Sequence, residues 1–269
     1  MELRERALQG LALADPAAKA ALTRELAAAA PSLPIAAHAP NADLPVPGRP
    51  ARPELIHPAK VPRRSPSRPE GLAALLHAIA HIEFNAINLA LDAVWRFDGM
   101  PREFYLDWVR VAGEEAYHFG LLHGHLAVLG HAYGDFAAHD GLWSMCEKTK
   151  DDVVARMALV PRTLEARGLD ATPQIQARLR QVGTPAALRA VEILDVILRD
   201  EVGHVAIGNH WYKWLCEREG LDPVSHFAQL SARHDAPTLH PPFNEEARRR
   251  AGFSDDELAR LHRAAERQR

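Results

Sequence analysis

The sequence predicts an all-α protein: a bundle of four long helices, preceded by a Pro-rich arm and followed by a helical extension. Three observations predict it. From about 70 to 217 apolar residues recur at helical spacing, with no alternating apolar and polar run of the kind that makes a strand. Turn signals at Asp98-Gly99-Met100-Pro101, Gly134-Asp135 and Gly183-Thr184-Pro185 cut that region into helix-sized pieces. Two of the pieces carry the same acidic motif, Glu-x-x-His, once as Glu115 with His118 and once as Glu201 with His204.

Residues 1–30 are rich in Ala and Leu with scattered charges, the pattern of one or two amphipathic helices. Residues 31–69 hold 11 of the 20 prolines, which excludes a long helix or a central strand there. Apolar residues still recur among them (Leu44, Val46, Leu55, Ile56, Val61), so the arm is expected to pack against the bundle and help close a pocket. Its stretch 49–68 is also basic: Arg49, Arg52, Lys60, Arg63, Arg64 and Arg68 face only Glu54. Helices are expected near 70–97, 101–130, 142–167 and 185–217, with a short one around 173–181 and a break at 169–173. The tail has a Pro-rich break at 237–242, then a charged helix opened by Ser254-Asp255-Asp256-Glu257, which reads as a capping box. The division is thus 1–69 arm, 70–217 bundle and 218–269 extension.

Composition narrows the function classes. The 269 residues are 47% hydrophobic and 25% charged, as in an ordinary globular chain. A net charge of -3 gives no overall attraction for nucleic acid or an anionic membrane. Cys146 and Cys216 are too few for a disulfide framework and indicate a reducing compartment. The charged start, Met1-Glu2-Leu3-Arg4-Glu5-Arg6, leads into no apolar signal core, and no run of about 18 apolar residues exists to span a membrane. A cytoplasmic location is the expectation. There is no Gly-rich phosphate loop, nucleophile elbow or zinc-type cysteine cluster.

The chemistry lies in the acidic motifs. At i and i+3 on a helix, a carboxylate and an imidazole share one side and can grip one metal ion. Two such helices, with one Glu from each of two others, make the dinuclear carboxylate site of ferritin-like bundles. Glu83 falls inside the apolar stripe of the first long helix (Leu72, Leu76, Ile79, Ala86, Ala90, Val94), where a charge is costly unless paired or metal-bound. On the third, Glu165 follows Val154, Ala158 and Pro161, and Pro161 is expected to kink or shift that helix. Residues level with one another in an antiparallel hairpin lie equally far from the turn. The midpoint of Glu83 and Glu115 is Gly99, and that of Glu165 and Glu201 is Gly183.

Six ligands follow: Glu83, Glu115, His118, Glu165, Glu201 and His204, a hard oxygen and nitrogen set suited to two iron or manganese ions. Glu114 and Asp200, just before the motif positions, are read as carboxylates that steady the ligand histidines from behind. His125 reads as a core or supporting residue, and the pair His77 and His81 as surface histidines. Tyr117 and Tyr212 lie near the motifs and read as structural before they read as electron relays. Contact between RNA phosphate and the arm or Arg248-Arg249-Arg250 is a lesser alternative to solvated charge.

The segments His81-Ile82-Glu83-Phe84-Asn85, Gly113-Glu114-Glu115-Ala116-Tyr117-His118-Phe119, Val160 to Asp170 and Arg199-Asp200-Glu201-Val202-Gly203-His204 resemble a bacterial family of ferritin-like proteins of unassigned function, as do Pro241-Pro242-Phe243-Asn244 and Ala251-Gly252-Phe253 in the tail. The family is similar in architecture to the tRNA isopentenyladenosine hydroxylase and to other oxygen-activating di-iron enzymes. The resemblance implies a ferritin-like fold and a di-iron site on the six ligands; it names no substrate. The expected activity is oxygen-dependent hydroxylation or oxidation of a small organic group, with electrons from an external donor. A ferroxidase, metal store or peroxide scavenger is the first rival, and a metal-free structural bundle the second. Oligomeric state is left open.

Overall fold

A computed structural model describes residues 1–42, 45–62 and 64–266; Leu44 and Arg63 of the arm lie outside the described residues. Among those described, regular structure is entirely helical apart from one isolated bridge between Leu55 and Ala138. The chain divides into two compact units, Met1–Trp143 with Leu179–Ile193, and Ser144–Arg178 with Leu194–Arg269.

Unit 1 is organised by the hairpin of α3 (Pro69–Arg96) and α4 (Arg102–Val128). Gly99, in the turn between them, has φ +70°, a conformation that a Cβ disfavours. α3 is apolar almost all round and most of it is enclosed, although Ile82 is 48% exposed. It is also long and apolar enough to cross a membrane by composition alone, but 78% of that window is buried inside the fold, the position of a core helix. α1 (Leu3–Ala12) packs on α3, and α2 (Pro16–Ala29) on α4. Two buried cations tie these layers. The Arg4 guanidinium donates to the carbonyls of Trp95 at 2.7 Å, Ala36 at 3.1 Å and Ala37 at 3.2 Å, and pairs with Asp98. Lys19 Nζ donates to Leu11 O at 3.0 Å, Gly48 O at 3.2 Å and the Asn88 amide oxygen.

The arm packs, but not through the apolar residues named above: Leu55 is 39% exposed, and Val46, Ile56 and Val61 are only half-buried. Trp95 Nε1 donates to Pro40 O, Gly48 N to Leu11 O, and Ile56 N to Ala138 O, each at 2.8 Å. Gly48 comes so close that a Cβ there would lie 2.1 Å from Ala12 O. Its cations meet acids: Arg49 pairs with Asp140 at 2.7 Å and Arg64 with Glu70 at 3.4 Å.

Unit 2 holds α6 (Val153–Leu159), a π-helical turn (Val160–Glu165), α7 up to residue 178, the later part of α8, and α9 to α11. α5 spans Gly141–Lys148, α7 Ala166–Val182, α8 Pro185–Glu219, α9 Pro223–Arg233, α10 Glu245–Arg250 and α11 Asp255–Glu266. The expected helix over 142–167 is broken at Thr149–Asp152, where Asp152 caps α6 by accepting from Ala155 N at 2.9 Å. The expected break at 169–173 is absent, because α7 runs through Pro173. Pro161 lacks an N–H and its effect is a wide π-turn; Thr163 Oγ1 there donates to Ala158 O, five residues back, at 2.8 Å. Ala166, Leu169, Val202, Val205, Ala247 and Ala251 form the core that α7, α8 and α10 share. The capping box forms: Ser254 N donates to Glu257 Oε2 at 2.7 Å, and Glu257 N to Ser254 Oγ at 3.3 Å.

Candidate metal centre

In unit 1 the inner faces of α3 and α4 bring Glu83, Glu115 and His118 together. Glu115 and His118 are fully buried and Glu83 is 3% exposed. One donor atom from each lies within 4.8 Å of the others. His118 Nδ1 is 3.3 Å from Glu83 Oε2 and 3.4 Å from Glu115 Oε2. Glu83 Oε2 is nonetheless buried without a well-aligned hydrogen bond.

Burial pushes the Glu83 carboxyl up to about 8, and the neighbouring Glu115 adds to the rise. Burial alone would lower His118, but its hydrogen bonds to Glu115 and Glu83 overcome that and push it up to about 12. Both shifts favour keeping protons within this group. A divalent ion can replace them.

In unit 2 the second motif is enclosed as well. His204 is fully buried, Glu201 is 8% exposed, and His204 Nδ1 lies 3.8 Å from Glu201 Oε2. Glu165 is buried at the end of the π-turn. Asp200 is held by Arg199 at 2.8 and 3.0 Å, and Glu114 lines a groove between α2 and α4 with Arg24, Arg110 and Tyr117.

Residues 12–259 match the family described as "Protein of unknown function (DUF455)". The chain belongs to that family. An uncharacterized protein of Haemophilus influenzae is 52% identical to it over 216 residues, 78% of this chain and 74% of that protein. No solved structure matches.

Of the other residues of this DUF455 chain singled out in the sequence, His125 and Tyr212 keep their reading, whereas His77, His81 and Arg248 differ. His77 and His81 are not surface residues: they are 0% and 7% exposed. His77 Nε2 accepts from Gly134 N at 2.8 Å, and His81 Nδ1 is hydrogen-bonded to the Tyr133 hydroxyl at 2.8 Å. The signal was available, since a helix apolar on every side buries whatever histidines it carries. His125 is a core residue hydrogen-bonded to Ala186 O at 2.9 Å. Tyr212 donates to Pro223 O at 2.6 Å, a structural bond, whereas Tyr117 is 43% exposed. Arg248 is buried on Asp170 at 2.6 Å, and Arg249 pairs with Glu245 and Asp255.

Sequence reasoning missed Arg162. This buried cation sits three residues before Glu165, and Asn209 Oδ1 and Glu257 Oε1 accept from it at 2.7 and 2.5 Å.

Proposed function

We propose that the chain is a ferritin-like four-helix bundle holding two iron ions, or two manganese ions, on Glu83, Glu115, His118, Glu165, Glu201 and His204. Its activity in this reading is oxygen-dependent oxidation or hydroxylation of a small organic group. The observation that carries it is the buried Glu83–Glu115–His118 group, where two carboxylates and an imidazole converge. Burying such charge is expensive unless protons or a cation offset it. The second enclosed Glu-x-x-His supports a second ion, and the level spacing of the two hairpin pairs supports joining the ligands into one centre.

Bound iron would supply one-electron redox chemistry with oxygen, with electrons from an external donor. The chain's residues do the rest. Glu115 and Glu201 would hold the ions together with His118, Glu165 and His204, and Glu83 would offer its poorly satisfied Oε2. His118 would have to give up a proton to hold the ion, so loading would release acid. Glu114 and Asp200 support the ligands from behind, and the arm screens the interior of the helices from water.

Elemental analysis after iron loading tests the centre. About two ions per chain are expected, the stoichiometry of a carboxylate bundle; clearly less than one overturns the reading. Oxygen consumption that depends on an added organic substrate and a reductant supports the oxidoreductase. Consumption that stops when added iron(II) is exhausted, whatever else is present, shows a ferroxidase or store instead.

A further inference from the structure

The π-turn Val160–Glu165 is an uncommon way to carry a ligand. A π-turn holds one residue more than the α-helix it interrupts. If it relaxed to α-helix, each later side chain would rotate by about 100° about the axis, because an α-helix has 3.6 residues per turn. Glu165 would then face elsewhere. Something must hold the extra residue in place.

Two neighbouring residues of the turn are pinned to two neighbouring residues of α8. Pro161 packs on Gly208, where a Cβ would lie 2.5 Å from the Pro161 Cβ. Arg162 Nη1 donates to Asn209 Oδ1 at 2.7 Å. Gly208 stands at i+7 from Glu201 and i+4 from His204, on the same face of α8. The rest of the Arg162 environment comes from later in the chain. The guanidinium lies 5.1 Å from the ring centroid of Tyr212, 5.0 Å from Phe227 and 4.9 Å from Phe253. Its second amino group donates to Glu257 Oε1 at 2.5 Å, while Glu257 Oε2 closes the capping box of α11. Burial raises the Glu257 carboxyl, but Arg162 and the Ser254 N–H outweigh it and hold the group charged.

Resting on the metal reading above, we infer that Arg162 and Glu257 are positioning residues for that centre: the C-terminal extension locks the π-turn against α8 and so fixes where the Glu165 carboxylate is delivered. Neither residue touches the ions. A buried guanidinium with one acid partner, one amide partner and three rings has one well-defined position, and the turn it belongs to inherits that position.

The test compares full-length wild type with Glu257→Ala, Glu257→Gln and Ser254→Ala. Metal-free protein is titrated anaerobically with iron(II), and hydrogen exchange is followed over 158–168. Glu257→Ala is expected to retain one ion and weaken the other by about tenfold or more, in the range for groups that orient ligands. Its exchange over 158–168 should quicken in the metal-free protein. Glu257→Gln keeps an oxygen for the guanidinium and should recover most of both properties. Ser254→Ala breaks the capping box alone and should bind two ions normally. Two ions of unchanged affinity in Glu257→Ala, or unchanged exchange over 158–168, overturn the inference. If wild type itself takes up no iron, the metal reading fails, and the exchange measurement still decides whether Glu257 holds the turn.

Discussion

The two Glu-x-x-His motifs are alike in sequence, yet the segments that supply their companion carboxylates are built differently. Glu83 stands on α3, an unbroken helix of 28 residues enclosed by apolar neighbours. Glu165 stands at the end of a six-residue π-turn, with Pro161 inside it and a buried arginine three positions before it. In the first case, regular helix geometry alone delivers the carboxylate. In the second, the turn that carries Glu165 is held by side chains from α8, α9 and the C-terminal tail through Arg162. The first half should therefore depend on residues next to its ligands, and the second half also on support from distant parts of the chain.

The largest effect that would sharpen this contrast comes from Glu115→Ala. Glu115 is fully buried beside Glu83 and His118, and its loss should abolish dinuclear binding, beyond the range of about 10–100-fold that outer partners produce. Glu201→Ala should do the same. Elemental analysis after desalting reads both, and retention of two ions by either variant would sink the proposed ligand set.

Buried histidines offer a second contrast, inside unit 1. His118 is pushed up by two carboxylates, whereas burial pushes His77 and His81 down to about 4. His77 therefore serves as a neutral acceptor for Gly134 N, clasping the loop after α4. His77→Ala should cost about 1–3 kcal/mol, the loss for an unsatisfied buried donor, and leave metal stoichiometry unchanged. The sign of the pH effect follows. The unfolded histidine takes up a proton near 6.5 and the folded one only near 4. This contribution to stability is therefore present above about 6.5 and lost as pH falls toward 4. His77→Gln, which does not titrate, should flatten that part of the stability profile; denaturant melts from pH 7 to 4 would show it.

These contrasts also explain what was legible in the sequence. Helical period, turn glycines and the capping box were readable because each is a local rule that the fold obeys: Gly99 and Gly183 adopt positive φ, and Ser254 and Glu257 bond reciprocally. The inward stripe around Glu83 and Glu115 was readable for the same reason. The region 142–182 was misjudged because competing local signals decide it. Asp152 starts a helix that the periodicity alone would have run through, and Pro173 sits in α7 where a break was expected. Arg162 was hidden because its partners lie 47 and 95 residues away.

Gly208→Ala probes the second half without touching a ligand. The added Cβ would lie within 2.6 Å of Pro161 Cβ and Cγ, so the π-turn or α8 must shift. Overpacking of this kind costs about 1–3 kcal/mol. The thermal midpoint should fall, and the ion that depends on Glu165 should weaken while the other is kept. Equal weakening of both ions would show that the two halves do not differ in the way described.

The smallest effects are expected at Glu114 and Asp200. Both are half-buried, and neither occupies an inner face: Asp200 is engaged by Arg199, and Glu114 lines the α2–α4 groove. A carboxylate there acts on the centre only through a ligand's orientation or through the local field. Asp200→Asn and Glu114→Gln keep the shape and remove the charge. Each should weaken iron binding by about tenfold, at the low end for groups behind a ligand, with both ions still bound. Loss as complete as in Glu201→Ala would make either acid a ligand, and the six-ligand set would have to be redrawn. No change at all would leave them as surface charge, and the histidines would then owe their orientation to helix packing alone.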